Sequence, residues 1–172
     1  MQRTAICPGS FDPITKGHED IIRRASIRFD QVIVVVSANP DKNPVFTLDE
    51  RVGMIKKTIE GIPNVEVDKF SGLLVDYVRE RSAVAIVKGL RAVSDFDYEF
   101  QMALTNKKLM PYAETVFLTP NSDNMYLSSS IVRQIARFGG DISDFVPRCV
   151  LRQIRERLCP MDESKTDKHA KG

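Results

Sequence analysis

One loop concentrates residues able to handle an anion. Pro8-Gly9-Ser10-Phe11-Asp12-Pro13-Ile14-Thr15-Lys16-Gly17-His18 leaves a short apolar segment and runs into a helical pattern. Glycine lets a backbone approach a ligand closely, the Ser10 hydroxyl can bond a phosphate, and a helix start presents free N–H groups and a favourable dipole to negative charge. His18 falls in the first turn of that helix, and the only other histidine, His169, lies near the C-terminus. A helix start disfavours an imidazolium, so His18 is expected to act as a neutral donor. A second concentration is Lys88-Gly89-Leu90-Arg91, where two cations follow an apolar strand and call for an anion to offset their desolvation. A third is Leu127-Ser128-Ser129-Ser130, a helix start rich in hydroxyls and N–H groups, again suited to a phosphate. Lys42 stands in a polar loop and Glu99 inside a helical pattern, positions where a solvated charge is the ordinary reading. Neither G-x-G-x-x-G nor G-x-x-x-x-G-K-[ST] occurs in the first loop, which removes the usual dinucleotide and Walker readings.

The elements that must hold these residues follow from hydrophobic spacing. Short Val- and Ile-rich runs at 3–7, 31–37, 65–70, 84–88 and 115–118 read as strands, and the stretches between them, 17–29, 48–60, 73–81 and 95–110, as helices. Strands alternating with helices mean β-α-β units and a parallel sheet. The fold class expected is therefore α/β, a Rossmann-like doubly wound five-stranded parallel sheet in a single domain with C-terminal helices at 129–138 and 146–158. Val32-Ile33-Val34-Val35-Val36 is apolar throughout, as a strand covered on both faces should be, and belongs near the middle. Thr47-Leu48-Asp49-Glu50 has the capping-box pattern of a helix start, and Ser94 with Asp95 and Asp97 gives a weaker one. In such sheets ligands bind beyond the carboxyl ends of the strands, where the crossovers diverge.

The chain has 172 residues, 42% hydrophobic and 28% charged, which is the composition of one folded domain. Its net charge of +2 and lack of a long basic run argue against a broad nucleic-acid footprint. No apolar run approaches the roughly 20 residues of a membrane span, and the N-terminus lacks a signal-peptide h-region, so a cytoplasmic protein is expected. The three cysteines, Cys7, Cys149 and Cys159, have no C-x-x-C spacing and read as buried, reduced thiols rather than a metal site. A domain over 1–160 and a disordered polar tail over 161–172 complete the expected organisation.

Beyond these physical readings, P-G-S-F-D-P-x-T-x-G-H resembles the first signature of the nucleotidyltransferase superfamily with a T-x-G-H or H-x-G-H motif. Leu127-Ser128-Ser129-Ser130-Ile131-Val132-Arg133 resembles its second. Asn39-Pro40-Asp41-Lys42, Thr47-Leu48-Asp49-Glu50-Arg51 and Lys88-Gly89-Leu90-Arg91-Ala92-Val93, with Asp97-Tyr98-Glu99, narrow the resemblance to bacterial phosphopantetheine adenylyltransferases, over about residues 3 to 158. The resemblance implies transfer of the adenylyl group of ATP to 4'-phosphopantetheine, with Mg²⁺ accompanying ATP, and dephospho-coenzyme A and pyrophosphate as products. It gives His18 the catalytic role, stabilising the pentavalent transition state. ATP contacts fall on Ser10, Phe11, His18, Gly89, Leu90, Arg91, Glu99 and on Asn124, Met125, Tyr126, Leu127, Ser128, Ser129 and Ser130; acceptor contacts fall on Ser10, Lys42, Leu74 and Lys88. No protein-bound metal site is implied. A homohexamer and feedback binding of coenzyme A are further implications. Position 88 is lysine where many relatives have arginine, and position 124 is asparagine where some have an aromatic residue.

Two other readings compete. A different acceptor, such as nicotinate mononucleotide or a sugar or polyol phosphate, would keep the superfamily, but the K-G-L-R-A-V segment speaks against it. A nucleotide-binding sensor that had lost catalysis would be expected to have lost at least one of His18, Lys42, Arg91 and the triple serine.

Overall fold

Alternation of side chains along each strand builds two cores from one sheet. In the computed structural model, which describes residues 2–38, 43–91, 93–119, 121 and 127–159, the strands are β1 (Thr4–Gly9), β2 (Gln31–Ser37), β3 (Val65–Phe70), β4 (Ala85–Gly89) and β5 (Glu114–Leu118). All neighbours are parallel, in the order β3-β2-β1-β4-β5. Ala5, Cys7, Val32, Val34, Val36, Ala85 and Val87 face one core, while Ile6, Ile33, Val35 and Ile86 face the other. β2 is therefore buried on both faces, as its apolar run requires, and it lies second in the sheet, beside the central β1.

The helices divide between the two faces. α1 (Lys16–Ser26) and α2 (Leu48–Thr58) cover the first core through Ile21, Ile22, Met54 and Ile55. α3 (Leu74–Glu80) covers the second through Val75, Tyr77 and Val78, and Met110, just beyond α4 (Val93–Leu109), joins it. α5 (Ser129–Arg137) and α6 (Leu151–Leu158) return to the first face with Val132, Ala136, Ile154 and Leu158. This is the doubly wound arrangement expected.

Several expected boundaries move. α1 stops at Ser26 rather than 29. The helix expected over 146–158 begins as a short 3₁₀ turn (Arg148–Val150) and becomes α-helical only at Leu151. Pro147 explains this, since it lacks an N–H and restricts the residue before it. α4 starts at Val93, so Ser94 lies inside its first turn rather than ahead of it. Thr47 does cap α2: its hydroxyl accepts from Glu50 N–H and Glu50 accepts from Thr47 N–H. All three cysteines are free, but only Cys7 is buried; Cys149 is exposed in the 3₁₀ turn, whose inward residue is Val150. No helix among the described residues is long and apolar enough to cross a membrane. The expected tail, 161–172, lies outside the described residues.

Pairing around β1 is uneven. It runs beside β2 along its whole length, from Thr4 opposite Gln31 to Gly9 opposite Val36. Beside β4 the register covers only Ala5 with Ala85 and Ile6 with Ile86. Beyond that point the carboxyl ends of β1 and β4 part. This is also where the strand order reverses direction, the place at which an α/β sheet opens a crevice.

Docking of α6 onto the first core is testable through Ile154, which is wholly buried. Ile154→Ala should cost about 2 to 5 kcal/mol in denaturant unfolding. A change below 0.5 kcal/mol, of the order expected at a surface position, would show that α6 is not part of the core.

Candidate active site

The gap between β1 and β4 is a cavity of ≈ 530 Å³ including its open mouth, and its walls include Phe11, His18, Lys88, Gly89, Arg91 and Leu127. Six of the residues expected from the sequence thus meet in one place, drawn from the two strand ends, the first turn of α1 and the approach to α5. Cys7, Ile21, Ile22 and Val87 form an apolar floor. Gly89 lets that floor close, because a Cβ there would stand 3.1 Å from Ile21 Cγ1. Gly9 is needed similarly, since a Cβ would meet the Phe11 ring at 2.9 Å.

His18 is fixed by the cap of its own helix. Thr15 is the N-cap of α1; its hydroxyl accepts from His18 N–H at 3.3 Å, and its own N–H donates to His18 Nδ1 at 3.1 Å. Histidine here takes the place glutamate holds in a usual capping box. Because Nδ1 is an acceptor, the ring hydrogen belongs on Nε2, the other nitrogen. The Phe11 ring meets the imidazole edge-on, with centroids 5.0 Å apart. Burial, aided by the positive charge of Arg91, holds the imidazole pKa down to about 4. His18 is a neutral donor, as the helix-start argument expected, although burial rather than the dipole is the main cause.

The first turn of α1 offers fewer free N–H groups than its sequence suggests. Thr15 N–H is spent on the imidazole, Lys16 N–H on the Phe145 carbonyl at 2.9 Å, and His18 N–H on Thr15. The serines at the start of α5 are likewise engaged within the protein. Ser128 caps α5 through Ile131 N–H, Ser129 Oγ donates to the Pro13 carbonyl at 2.8 Å, and Ser130 Oγ accepts from Arg133 at 3.3 Å. Ser129 thereby ties the two signature segments to each other.

Lys88 has a partner. Its Nζ lies 3.3 Å from Glu99 Oε2, and both side chains are largely buried. That oxygen has no hydrogen bond and is shielded from solvent. Residue type alone makes Glu99 a solvated helix position, the resemblance makes it an ATP contact, and Lys88 calls for an external anion; the fold pairs the two across β4 and α4. An arriving phosphate would compete with Glu99 for the ammonium. Lys88 also opposes the effect of burial on Cys7, whose thiol is nonetheless pushed up to about 12 and is not a nucleophile at neutral pH.

Arg91 donates to the Leu127 carbonyl at 2.9 Å, joining the β4 loop to the approach of α5. Leu90 N–H continues the β4–β5 ladder to the Leu118 carbonyl at 3.0 Å. Ser10 is half-buried beside the cavity but not in its wall, and Leu74 begins α3 and packs on the second core, away from the wall. Lys42, Asn124, Met125 and Tyr126 lie outside the described residues. No cluster of three or more His, Cys, Asp or Glu side chains that could hold a metal occurs among the described residues.

Three residues that frame the site escaped the sequence reading. Asp12, buried, accepts from Phe46 N–H at 2.9 Å and Val45 N–H at 3.0 Å. Arg133 donates to the Asp12 carbonyl and faces its carboxylate. Arg51, also buried, donates to the Ser10 carbonyl at 2.8 Å. The T-x-x-H spacing of Thr15 and His18 could have signalled a cap; for Asp12 and Arg51 no local pattern marks a tertiary bond.

A nucleotidyltransferase architecture is what this combination of sheet, crevice and histidine defines, and comparison with known proteins agrees. The profile of the cytidylyltransferase-like family matches residues 6–135. A phosphopantetheine adenylyltransferase of Alkaliphilus metalliredigens is 59% identical, covering 90% of this chain and 99% of the relative. Those of Heliobacterium modesticaldum and Thiobacillus denitrificans are 58% and 50% identical, covering 89% and 90% of this chain and 91% and 97% of theirs. The chain belongs to the phosphopantetheine adenylyltransferases of the cytidylyltransferase-like family. A solved Vibrio parahaemolyticus chain assigned as a nicotinate-nucleotide adenylyltransferase superposes with a TM-score of 0.65 at 22% identity, covering 92% of this chain and 99% of its own, which shows the shared fold.

The depressed imidazole pKa fixes a pH dependence. An unfolded histidine titrates near 6.5, so between 6.5 and about 4 the unfolded chain takes up a proton that folded His18 refuses. Its contribution to stability is complete above 6.5 and falls as the pH drops toward 4. An NMR titration should show one folded imidazole neutral at pH 6; a midpoint near 6.5 would refute the neutral assignment. His18→Ala should stay folded and lose roughly 10²- to 10⁴-fold in turnover, the scale of removing one donor to a developing charge.

Proposed function

We propose that the protein transfers the adenylyl group of ATP to 4'-phosphopantetheine, forming dephospho-coenzyme A and pyrophosphate. The observation that carries this reading is the convergence of neutral His18 with Lys88 and Arg91 on one crevice, in a chain 50 to 59% identical to phosphopantetheine adenylyltransferases over nine-tenths of its length. An oxygen of the acceptor phosphate attacks the α-phosphorus, the bond to the bridging oxygen of the β-phosphate breaks, and pyrophosphate leaves. The protein has no covalent step to perform; it holds two phosphates in line and stabilises the charge that develops between them.

His18 Nε2–H donates to a non-bridging oxygen of the transferring group. A neutral donor fits this role because it gives a hydrogen bond and keeps its proton as charge develops on the oxygen. Lys88 leaves Glu99 for the acceptor phosphate, while Arg91, Gly89 and Leu90 serve the nucleotide with Ser10, Phe11, Glu99 and the segment 124–130. Lys42 and Leu74 complete the acceptor side. Mg²⁺ enters as part of the substrate, on the triphosphate of ATP. Coenzyme A, which shares the pantetheine arm and adenylyl group, would compete for the same crevice. The setting is cytoplasmic coenzyme A biosynthesis.

Assembly into a homohexamer is part of the proposal. It is supported by α4, which presents Phe96, Tyr98, Phe100, Leu104 and Leu109 to the surface, with Tyr112 beyond. So many exposed large apolar side chains on one element mark a contact surface. Light scattering should give six times the 19.4 kDa chain mass, and Leu104→Asp should lower it; a monomeric wild type would refute the assembly.

The activity is tested by pyrophosphate release from ATP, first with 4'-phosphopantetheine and then with nicotinate mononucleotide; release only with the latter would refute the acceptor. Lys88→Arg should keep most activity, because either cation can face a phosphate. Lys88→Ala should lose about 1.5 to 3 kcal/mol of charge-assisted bonding, roughly 10- to 150-fold. The loss should appear in the kinetics of 4'-phosphopantetheine more than in ATP binding. An effect on ATP alone would mean that the two substrates divide this crevice differently.

A further inference from the structure

Arg51 lies at the fourth position of α2 and is 5% exposed. Its Nε donates to the carbonyls of Phe46 at 3.1 Å and Thr47 at 3.4 Å, and its Nη1 reaches across to the Ser10 carbonyl at 2.8 Å. No carboxylate among the described residues lies within ion-pair distance of it. Burial lowers its pKa and the charge of Asp12 raises it, and the guanidinium stays protonated. A buried cation without a contacting anion costs folding free energy that an apolar side chain of similar volume would not. What this cation accomplishes is local: it fixes the peptide unit between Ser10 and Phe11.

That peptide needs fixing. Phe11 has φ 48, a left-handed backbone that a bulky residue adopts only when its surroundings enforce it. Across a planar trans peptide the C=O and N–H point in opposite directions. Holding the Ser10 carbonyl on Arg51 therefore turns the Phe11 N–H away from α2, and this N–H has no partner among the described residues. Phe11 itself lines the crevice and packs against His18.

We propose that Arg51 is a positioning residue for adenylyl transfer: by pinning the Ser10 carbonyl it presents the Phe11 N–H as a fixed donor to the phosphates of ATP. This rests on the proposed activity, but part of its test does not. Arg51→Lys keeps the charge and loses the fork that spans Phe46 and Ser10. Its kcat at saturating substrates should fall on the order of 10- to 100-fold, the scale of a small misplacement at a reacting group. KM for 4'-phosphopantetheine should change little, and the edge-on contact with Phe11 should loosen, shifting the His18 imidazole resonances. A purely structural arginine would lower the melting temperature and leave kcat per folded molecule unchanged, which would overturn the proposal.

In the wild-type protein, the amide proton of Phe11 should move downfield when ATP is titrated in. An unmoved resonance with ATP bound overturns the proposal even if Arg51→Lys fails to fold. Absence of pyrophosphate release by the wild type, with the Phe11 amide still responding to ATP, would remove the acceptor reading and leave the positioning of the nucleotide standing.

Discussion

A buried carboxylate must find donors, and Asp12 finds them on two segments far from it in sequence, the N–H groups of Val45 and Phe46 and the guanidinium of Arg133. The geometry of the crevice depends on this set of bonds. Without it the loop after β1 would have to hold Phe11 in a left-handed conformation on its own, at a cost of order 1 to 3 kcal/mol. With it, the loop, the start of α2 and the start of α5 become one unit. Ser129 on the Pro13 carbonyl and Arg51 on the Ser10 carbonyl close the same ring. α6 braces the ring from outside: Arg157 donates to the Val45 carbonyl, pairs with Glu50 and stacks over Phe46 at 5.6 Å.

The charges around the crevice are consistent with this frame. Arg91 serves two purposes, since its positive charge both attracts an anion and helps keep His18 neutral. The neutral state in turn leaves Nε2–H as a donor at any pH well above 4. Glu99 keeps Lys88 from being an isolated, largely buried cation, yet its bond-free Oε2 makes the pair looser than a fully satisfied one. A phosphate, which can accept several bonds, is a better partner for that ammonium than a single oxygen at 3.3 Å.

What the sequence revealed and what it hid follow one physical division. Strand and helix identity came from periodicity, and the doubly wound sheet from their alternation, because burial on two faces leaves a mark in every apolar residue of β2. The Thr47 cap was legible because its bonds close within four residues. The Thr15 cap was hidden only by its histidine. Asp12, Arg51 and Arg133 carry bonds to residues 34, 41 and 121 positions away, and nothing in local spacing encodes such a distance. α1 offers fewer free N–H groups than its spacing suggests for the same reason: the Phe145 carbonyl that takes Lys16 N–H arrives from the far end of the chain. Only resemblance points Glu99 and Leu74 toward ligands; residue type alone reads them as a solvated charge and a core side chain.

The sheet decides where such a site can be. β1 is held against β2 along six residue pairs but against β4 along only two, so the strand ends carrying the first loop and Lys88-Gly89 diverge without disturbing the centre of the sheet. On their outer sides the two ends stay in ladders, β1 with β2 and β4 with β5, and only the groups facing the gap leave the sheet. α1 can approach the opening because Gly89 has no side chain, and that approach brings His18 to its rim. The crevice is thus a consequence of incomplete strand pairing at a point where the crossovers diverge, and the polar bonds around Asp12 give that opening a single shape.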